Sequence, residues 1–268
     1  MSAKPLEKRV GDLRRILEEL GSVLVAFSGG CDSAFLLKTA VDVLGSGAAG
    51  LTASSPTHPA GELDAAVRFA GDIGARHIVA ASGELDDAGF AANTRRRCYV
   101  CKKELFSICL REARALGLAW VADGSNADDL GDFRPGREAA AELGVRSPLV
   151  EAGLSKQDIR DAARSLGLET WNKPALACLA SRIPYGTAIT PELLRRIDGC
   201  EAFLRRLGLR VVRVRCHGDT ARIEVGPDEI GALLAPETRI AVVQFFLEAG
   251  FRRVTLDLQG YRTGSMNT

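Results

Sequence analysis

The first half of the chain alternates between helical and extended patterns of hydrophobic residues. Residues 6–20 carry a helical stripe of apolar side chains, and a continuous apolar run at residues 23–27 is typical of a buried strand. The alternation continues with helices to about residue 44 and at residues 60–73 and 104–116, and with strands at residues 49–53, 77–80 and 118–122. Strands that alternate with helices form βαβ units, so this pattern predicts a parallel sheet with right-handed crossovers.

The second half of the chain is organised differently. Residues 171–190 are rich in proline, glycine and small side chains without a clear period, and we interpret them as a functional loop rather than a linker. The elements after this loop are a helix from Pro191 to about residue 207, strands at residues 210–216, 222–225 and 253–258, and a helix at residues 240–249. The sequence therefore predicts an α/β protein, with a parallel-sheet domain over residues 1–170 and a smaller α+β domain within residues 171–268.

A glycine-rich loop directly follows the strand at residues 23–27. Two neighbouring glycines allow a close approach to a phosphate, and the start of a helix points its backbone N–H groups and the positive end of its dipole at the same place. The loop does not fit the Walker pattern, because the Gly-Lys-Ser/Thr ending is absent. The sequence therefore predicts a phosphate site whose candidate residues are Ser28, Gly29, Gly30, Asp32 and Ser33.

Asp32 has two compatible interpretations within this loop. Its carboxylate could help to hold Mg²⁺ against bound phosphates, because carboxylate and phosphate oxygens together suit this hard cation. It could also cap the start of the helix that follows the loop.

A second candidate segment, residues 123–136, is dense in acidic residues and glycines and follows the strand at residues 118–122. A solvated loop is one explanation of this composition. Ligands of open parallel sheets, however, bind at the carboxyl ends of the strands, where this segment and the glycine loop are both expected. The segment therefore supplies candidate substrate- or metal-binding residues, namely Asp123, Gly124, Asn126, Asp128 and Asp129.

Composition narrows the classes of protein that fit. With 268 residues, 46% of them hydrophobic and 26% charged, the chain has the composition of a soluble globular protein. No apolar stretch approaches the ~20 residues that span a bilayer, and the first residues are polar, so we expect a cytoplasmic protein without a membrane partner. A net charge of +1 disfavours a nucleic-acid partner, since such proteins usually carry a strong basic excess.

Seven cysteines suggest chemistry rather than a disulfide framework, because the number is odd and a reducing compartment is expected. Four of the seven are expected to have no part in that chemistry. Cys109, Cys200 and Cys216 lie in apolar surroundings and are expected to be packing residues, whereas Cys31 occupies a variable position of the glycine loop. The other three are Cys98, Cys101 and Cys178.

Cys98 and Cys101 form a single Cys-x-x-Cys motif, which fits a redox pair, half of a zinc site, half of an iron–sulfur site or coincidence. A third thiol would have to come from elsewhere, and Cys178 is the best candidate. Cys178 lies near Arg182, which could lower the pKa of the thiol and favour the thiolate. A buried and inert cysteine is the alternative for this position.

Arg213 and Arg215 alternate with valines, so both arginines are expected on one face of a strand. Glu224 could share that face from a neighbouring strand. Two guanidinium groups side by side suit a phosphate ligand, although an exposed surface of ion pairs would show the same pattern.

Taken together, these motifs resemble the LarE family, the ATP-dependent sulfur transferases of lactate racemase (nickel-pincer) cofactor biosynthesis. The glycine loop resembles the PP-loop of N-type ATP pyrophosphatases, which cleave ATP to AMP and pyrophosphate. The resemblance covers most of the chain and rests on residues 28–33, 123–136, 177–182 and 212–225.

The resemblance implies a reaction and a set of roles. ATP would adenylate a carboxylate of pyridinium-3,5-biscarboxylic acid mononucleotide, and sulfur would then replace AMP to give a thiocarboxylate. Cys178 matches the cysteine that handles sulfur in the family, Arg213 and Arg215 match its phosphate-binding arginines, and Glu224 lies beside them. Ser181 and Arg182 belong to the same loop as Cys178 and are further candidate binding residues.

Two branches of the family differ in the source of sulfur. In one branch a single cysteine gives up its own sulfur and becomes dehydroalanine. In the other, three cysteines hold a [4Fe–4S] cluster whose free iron carries an extra sulfide. The presence of Cys98 and Cys101 beside Cys178 favours the cluster branch, and the family further implies Mg²⁺, a homo-oligomer and a sulfide donor.

Four alternatives remain open from the sequence. A tRNA thiolase with a PP-loop would need an RNA partner, and an NAD-synthetase-like ligase would need an ammonia source. A nucleotide-binding regulator would keep the fold without catalysis. The three cysteines could also form a structural zinc site, although such sites normally have four protein ligands.

Overall fold

The computed structural model describes residues 5–131, 135–174 and 177–262, and these contain seven strands and eleven α-helices. The strands are β1 (Val23–Ala26), β2 (Ala48–Ser54), β3 (Arg76–Ala81), β4 (Trp120–Ala122), β5 (Val212–His217), β6 (Thr220–Val225) and β7 (Arg253–Leu256). The helices are α1 (Leu6–Leu20), α2 (Cys31–Leu44), α3 (Glu62–Asp72), α4 (Ala88–Ala91), α5 (Arg97–Ala115), α6 (Pro135–Glu142), α7 (Pro148–Glu151), α8 (Lys156–Ser165), α9 (Pro191–Arg206), α10 (Ile230–Leu234) and α11 (Pro236–Glu248).

The chain divides into two units. The first unit comprises Met1–Ser55, Gly61–Glu84 and Cys98–Ala175. The second comprises Pro56–Ala60, Leu85–Arg97 and Leu176–Thr268. Pro56–Ala60 and Leu85–Arg97 thus belong to the second unit although they lie within the first 170 residues. Their hydrophobic residues show no helical or strand period that would predict this.

A four-stranded parallel sheet in the order β3-β2-β1-β4 forms the centre of the first unit. All four residues of β1 are buried. Val23 and Val25 pack into one hydrophobic cluster, and Leu24 and Ala26 pack into another. Because successive strand residues point to opposite faces, β1 is covered on both sides, which explains its continuous apolar sequence. The predicted parallel α/β domain is confirmed.

The second unit contains a smaller mixed sheet in the order β5-β6-β7. β5 and β6 are antiparallel, whereas β6 and β7 are parallel. Helix α9 begins as its sequence predicts, since the Thr190 side chain accepts a hydrogen bond from the backbone N–H of Leu193 at 3.2 Å and Pro191 is the first helical residue. The predicted α+β character of the C-terminal region is confirmed.

The three cysteines that the sequence predicts to be packing residues, Cys109, Cys200 and Cys216, are all buried. Burial raises the pKa of Cys109 and of Cys200 to about 12, and burial also raises the pKa of Cys216. Their thiols therefore stay protonated at neutral pH and serve as small hydrophobic groups.

Within residues 5–131, 135–174 and 177–262, no single helix is both long enough and apolar enough to cross a membrane. The segments Pro227–Leu234 and Pro236–Glu248 meet that criterion only together, and they are bent by 89° at the break between them.

Candidate active site

The glycine loop lies between β1 and α2, at the carboxyl end of a central strand of the first unit. Gly29 has a φ of 72°, in the left-handed region that favours glycine, and a Cβ there would stand 3.3 Å from the Cβ of Ala66. The Ser33 hydroxyl accepts a hydrogen bond from the backbone N–H of Ser28 at 3.2 Å and donates one to the Gly30 carbonyl at 3.2 Å. The loop is thus closed onto the first turn of α2, as an anion-binding loop requires.

The acidic segment packs directly against the start of α2. A Cβ on Gly124 would lie 3.0 Å from the backbone nitrogen of Ser33, so any larger residue would force the start of α2 to shift. The preceding carboxylate, that of Asp123, accepts hydrogen bonds from the hydroxyls of Ser125 and Ser147 at 2.7 and 2.8 Å. Asp123 therefore organises the segment from within, and Gly124 lets it reach the glycine loop.

Asn126 connects the acidic segment to Asp32. Its side-chain amide donates to the Asp32 carboxylate at 3.4 Å, and its side-chain oxygen accepts from the backbone N–H of Asp128 at 3.0 Å. The Asp129 carboxylate in turn accepts from the Asn126 backbone N–H at 3.0 Å. The structure thus brings Asp32, Asn126, Asp128 and Asp129 into one hydrogen-bonded cluster, in agreement with the expectation that the two loops meet.

Two lysines that the sequence analysis did not single out lie against the glycine loop. Lys156, the first residue of α8, places its ammonium 2.6 and 2.7 Å from the two carboxylate oxygens of Asp32. The Lys173 ammonium donates to the Gly29 carbonyl at 3.1 Å and pairs with Glu62 at 2.7 Å. Both lysines bring positive charge to a loop already suited to an anion.

The residues around Asp32 fit a magnesium ion that is shared with a phosphate ligand. Among the residues of the first unit that the structure describes, no group of three or more His, Cys, Asp or Glu side chains could hold a metal ion. Mg²⁺, however, commonly takes only one or two protein carboxylates together with phosphate oxygens and waters. Asp32, half-buried and placed at the loop, is suited to that arrangement.

Cys178 in the second unit immediately precedes a short 3₁₀ turn, Leu179–Arg182, and is half-buried. The Arg182 guanidinium holds this turn from within. It donates to the carbonyls of Ala177 and Cys178 at 2.6 and 3.0 Å and to the Ser181 hydroxyl at 2.9 Å. Arg182 is fully buried and organises the Cys178 loop, and its role in binding a ligand stays a prediction.

Glu201 on α9 is the anion that fixes Arg182. Its carboxylate accepts a bidentate pair from Arg182 at 2.8 and 3.1 Å, together with hydrogen bonds from Arg205 at 2.7 Å and the Val214 backbone N–H at 3.0 Å. Burial raises the pKa of Glu201, but the hydrogen bonds and charge of Arg182 oppose it, and the net pKa lies below its usual value. Glu201 therefore remains ionised beneath the Cys178 loop.

Arg213, Arg215 and Glu224 lie together on the sheet of the second unit, as their alternation predicts. Arg215 donates twice to Glu224, at 3.0 and 2.8 Å, and once to the Ser181 carbonyl at 3.0 Å. Burial, followed by the charge of Arg182, lowers the pKa of Arg213. Arg213 and Arg215 are 3% and 5% exposed, so this is a buried cluster rather than an exposed surface of ion pairs.

Cys98 and Cys101 lie within the first five residues of α5, which begins seven residues earlier than the helix predicted from residue 104. No proline or glycine interrupts residues 97–115, so the helix extends back through the motif. A spacing of three residues puts the two side chains on one face of the helix, and Cys98 is exposed. The pair belongs to the first unit and Cys178 to the second, and the three-cysteine cluster stays a prediction.

Known proteins resemble this chain over most of its length. It is 41% identical over 252 residues to the pyridinium-3,5-bisthiocarboxylic acid mononucleotide synthase of Lactiplantibacillus plantarum, which covers 94% of this chain and 91% of that protein. The chain belongs to the LarE family. It is also 45% identical over 262 residues to an uncharacterized protein of Synechocystis sp., with 98% of both chains covered. No protein-family model matches the sequence.

This LarE family member is an enzyme, and its candidate residues form one group in each unit. The group in the first unit comprises Ser28, Gly29, Gly30, Asp32, Ser33, Asp123, Gly124, Asn126, Asp128 and Asp129. The group in the second comprises Cys178, Ser181, Arg182, Arg213, Arg215 and Glu224. The residues that sequence reasoning missed, Lys156, Lys173 and Glu201, join these groups through long-range contacts, and no local pattern distinguishes them.

Proposed function

We propose that this LarE family member transfers sulfur, with ATP as activator, to a carboxylate of pyridinium-3,5-biscarboxylic acid mononucleotide. The product would be the bisthiocarboxylic acid mononucleotide for which the L. plantarum relative is named, an intermediate of nickel-pincer cofactor synthesis. The observation that carries the proposal is the 41% identity to that synthase over 94% of this chain.

The first unit would supply the activation step. A substrate carboxylate oxygen attacks the α-phosphorus of ATP, an acyl adenylate forms, and pyrophosphate leaves. The N–H groups at the start of α2, together with Lys156 and Lys173, would stabilise the charge that develops on the phosphates. Asp32 would exchange its ion pair with Lys156 for Mg²⁺, which when bound offsets charge on the departing pyrophosphate.

The second unit would supply the sulfur step and a phosphate site. A thiolate attacks the activated carbonyl carbon, and AMP leaves with the oxygen that had joined it to the substrate. Arg213 and Arg215 would bind the phosphate of the mononucleotide. This role has a physical basis, because burial and, after it, the like charges of Arg182 and Arg215 lower the pKa of Arg213, and an anion would favour its charged form.

Two sources of sulfur are compatible with this step. In the sacrificial form, Cys178 forms a thioester with the substrate. Loss of its Cα proton and cleavage of its Cβ–S bond then leave a thiocarboxylate on the substrate and dehydroalanine at position 178. In the form that we favour, Cys98, Cys101 and Cys178 would hold a [4Fe–4S] cluster, which when bound supplies a sulfide that a donor renews. The i, i+3 pair on α5, in which Cys98 is exposed and Cys101 half-buried, suits two of its ligands.

The reaction is tested by incubating the purified protein with Mg²⁺, ATP, sulfide and the biscarboxylic acid mononucleotide. We expect AMP and pyrophosphate only when the mononucleotide is present, and a thiocarboxylate in the mass spectrum of the substrate. Release of ADP, or AMP formation that does not depend on the mononucleotide, would contradict the proposal.

The cluster is tested separately by anaerobic purification, followed by iron, sulfide and zinc analysis of the wild type and Cys98→Ala. We expect bound iron and sulfide in the wild type, loss of both in the variant, and more than one product molecule per chain. A colourless, iron-free wild type whose Cys178 loses the mass of its sulfur during turnover would show the sacrificial form instead.

Lys156→Gln is expected to weaken the binding of MgATP by about tenfold or more, since hydrogen bonds to charged groups contribute ~1.5–3 kcal/mol. Lys38→Gln is the matched control, because Lys38 lies on α2 but pairs with Asp42 one helical turn further from the loop. Isothermal titration calorimetry measures both affinities. Equal affinities of the two variants for MgATP would show that Lys156 does not contribute to ATP binding.

A further inference from the structure

Asn93 is a fully buried polar residue of the second unit with an unusual backbone conformation. Its φ is 53°, and among the described residues it is the one non-glycine residue with a positive φ. The side-chain amide nitrogen lies within hydrogen-bond distance of three backbone carbonyls, those of Ile183 at 3.3 Å, Pro184 at 2.8 Å and Thr187 at 2.9 Å. One side chain thus holds together the turn that follows Arg182.

The side-chain oxygen and the backbone carbonyl of Asn93 form further hydrogen bonds, which fix residues 91–97. Its side-chain oxygen accepts a hydrogen bond from the guanidinium of Arg97, which lies over the ring of Tyr185 at 4.6 Å. Its backbone carbonyl accepts from the N–H of Gly186 at 3.0 Å. The neighbouring Ala91 carbonyl accepts from the N–H of Ile189 at 2.9 Å. Residues 91–97 and 183–189 are therefore joined by backbone and side-chain hydrogen bonds that centre on Asn93.

Both joined segments run directly into cysteines that carry the proposed chemistry. The turn at residues 183–189 continues from the Cys178 loop, and Cys98 is the next residue after Arg97. The hydrogen bonds of Asn93 go to backbone groups and to Arg97 rather than to either thiol, so we expect any effect on the thiols to pass through the backbone that it fixes.

We propose that Asn93 is a positioning residue for sulfur transfer, which fixes the loop that carries Cys178 and the segment that leads into Cys98. The expected effect on sulfur transfer rests on the proposed function. The expected effect on the accessibility of the Cys178 thiol does not. Misplacement of a reacting group by ~1 Å can cost about 100-fold in rate, so a buried residue that sets the loop conformation can control the sulfur step without touching it.

Two substitutions separate the side chain of Asn93 from its backbone conformation. Asn93→Gly keeps the left-handed conformation without strain and removes the amide. Asn93→Asp keeps the size of the side chain but replaces the donor with an oxygen that faces three carbonyl oxygens. Thr94→Ala is the control, because Thr94 is exposed in the same segment and its hydroxyl accepts a local hydrogen bond from the backbone N–H of Arg96.

The test measures thiocarboxylate formed per pyrophosphate released, and the alkylation rate of Cys178 by iodoacetamide, for the wild type and the three variants. For Asn93→Gly and Asn93→Asp we expect pyrophosphate release within about twofold of the wild type. The thiocarboxylate yield per pyrophosphate should fall on the order of tenfold or more. The alkylation rate of Cys178 should change in both variants, and Thr94→Ala should match the wild type in every measurement.

A residue with a merely structural role would lower product and pyrophosphate together and leave their ratio unchanged, which would overturn the proposal. An unchanged alkylation rate in both Asn93 variants would also overturn it. If the proposed function fails, the wild type itself makes no thiocarboxylate, and the alkylation rate of Cys178 still decides whether Asn93 positions this loop.

Discussion

Cys178→Ala is expected to reduce thiocarboxylate formation by roughly 1,000-fold or more, as removal of an essential nucleophile does in other enzymes. Release of pyrophosphate should continue, because the residues proposed to bind ATP lie in the first unit and Cys178 in the second. The measurement is mass spectrometry of the substrate combined with a pyrophosphate assay. Pyrophosphate and thiocarboxylate form together in the wild type, so the variant should release pyrophosphate without forming thiocarboxylate.

Cys109→Ala serves as the control for loss of a thiol. Burial raises the pKa of Cys109 to about 12, so this thiol is almost wholly protonated at neutral pH and cannot be the sulfur nucleophile. The variant should form thiocarboxylate at the wild-type rate per folded molecule. Wild-type yields from Cys178→Ala would exclude Cys178 from the reaction, both as a sulfur donor and as a required cluster ligand.

Glu201→Gln is expected to lower the free energy of unfolding by about 3–5 kcal/mol, the usual cost of removing one partner of a buried ion pair. The variant leaves the fully buried Arg182 without the bidentate carboxylate that now binds it at 2.8 and 3.1 Å. Chemical denaturation at neutral pH measures the loss. Glu192→Gln is the matched control on the same helix, where an exposed pair with Arg195 should contribute little to stability.

The destabilisation caused by Glu201→Gln should become smaller as the pH falls into the acidic range. Because the folded state lowers the pKa of Glu201, its carboxylate stabilises the fold above the unfolded pKa of about 4.3. That contribution is lost as the pH falls through the lower pKa of the folded state. The difference between variant and wild type should therefore be constant near neutral pH and shrink in acid. A difference below 1 kcal/mol at neutral pH, or one that grows in acid, would contradict this assignment.

The parts of the fold that the sequence predicts are those set by local patterns. The continuous apolar run of β1 requires a strand covered on both faces, and the glycine loop requires a helix to follow. The position of Arg213 and Arg215 on one face follows from strand alternation, and their contact with Glu224 is confirmed. Alternation alone does not tell whether that face is covered, so the burial of both arginines could not be predicted.

The parts that the sequence could not predict depend on contacts between distant positions. Lys156 and Asp32 are 124 residues apart, and Asn93 is 90 residues or more from the carbonyls that it binds. Lys156 begins a helix and Glu201 lies within one, and each position has many structural explanations. Only the contacts of the folded chain distinguish among them. The early start of α5 also escaped prediction, because helix propensity changes little between residues 97 and 104.

The most direct test of the proposed chemistry follows a heavy-oxygen label placed in the carboxylates of the pyridinium mononucleotide. If a carboxylate is adenylated and sulfur then displaces AMP, each thiocarboxylate formed must be accompanied by one AMP that carries one labelled oxygen on its phosphate. We expect that stoichiometry from the wild type, measured by mass spectrometry of AMP and product in the same sample. Thiocarboxylate accompanied by unlabelled AMP would contradict carboxylate activation and, with it, the proposed mechanism.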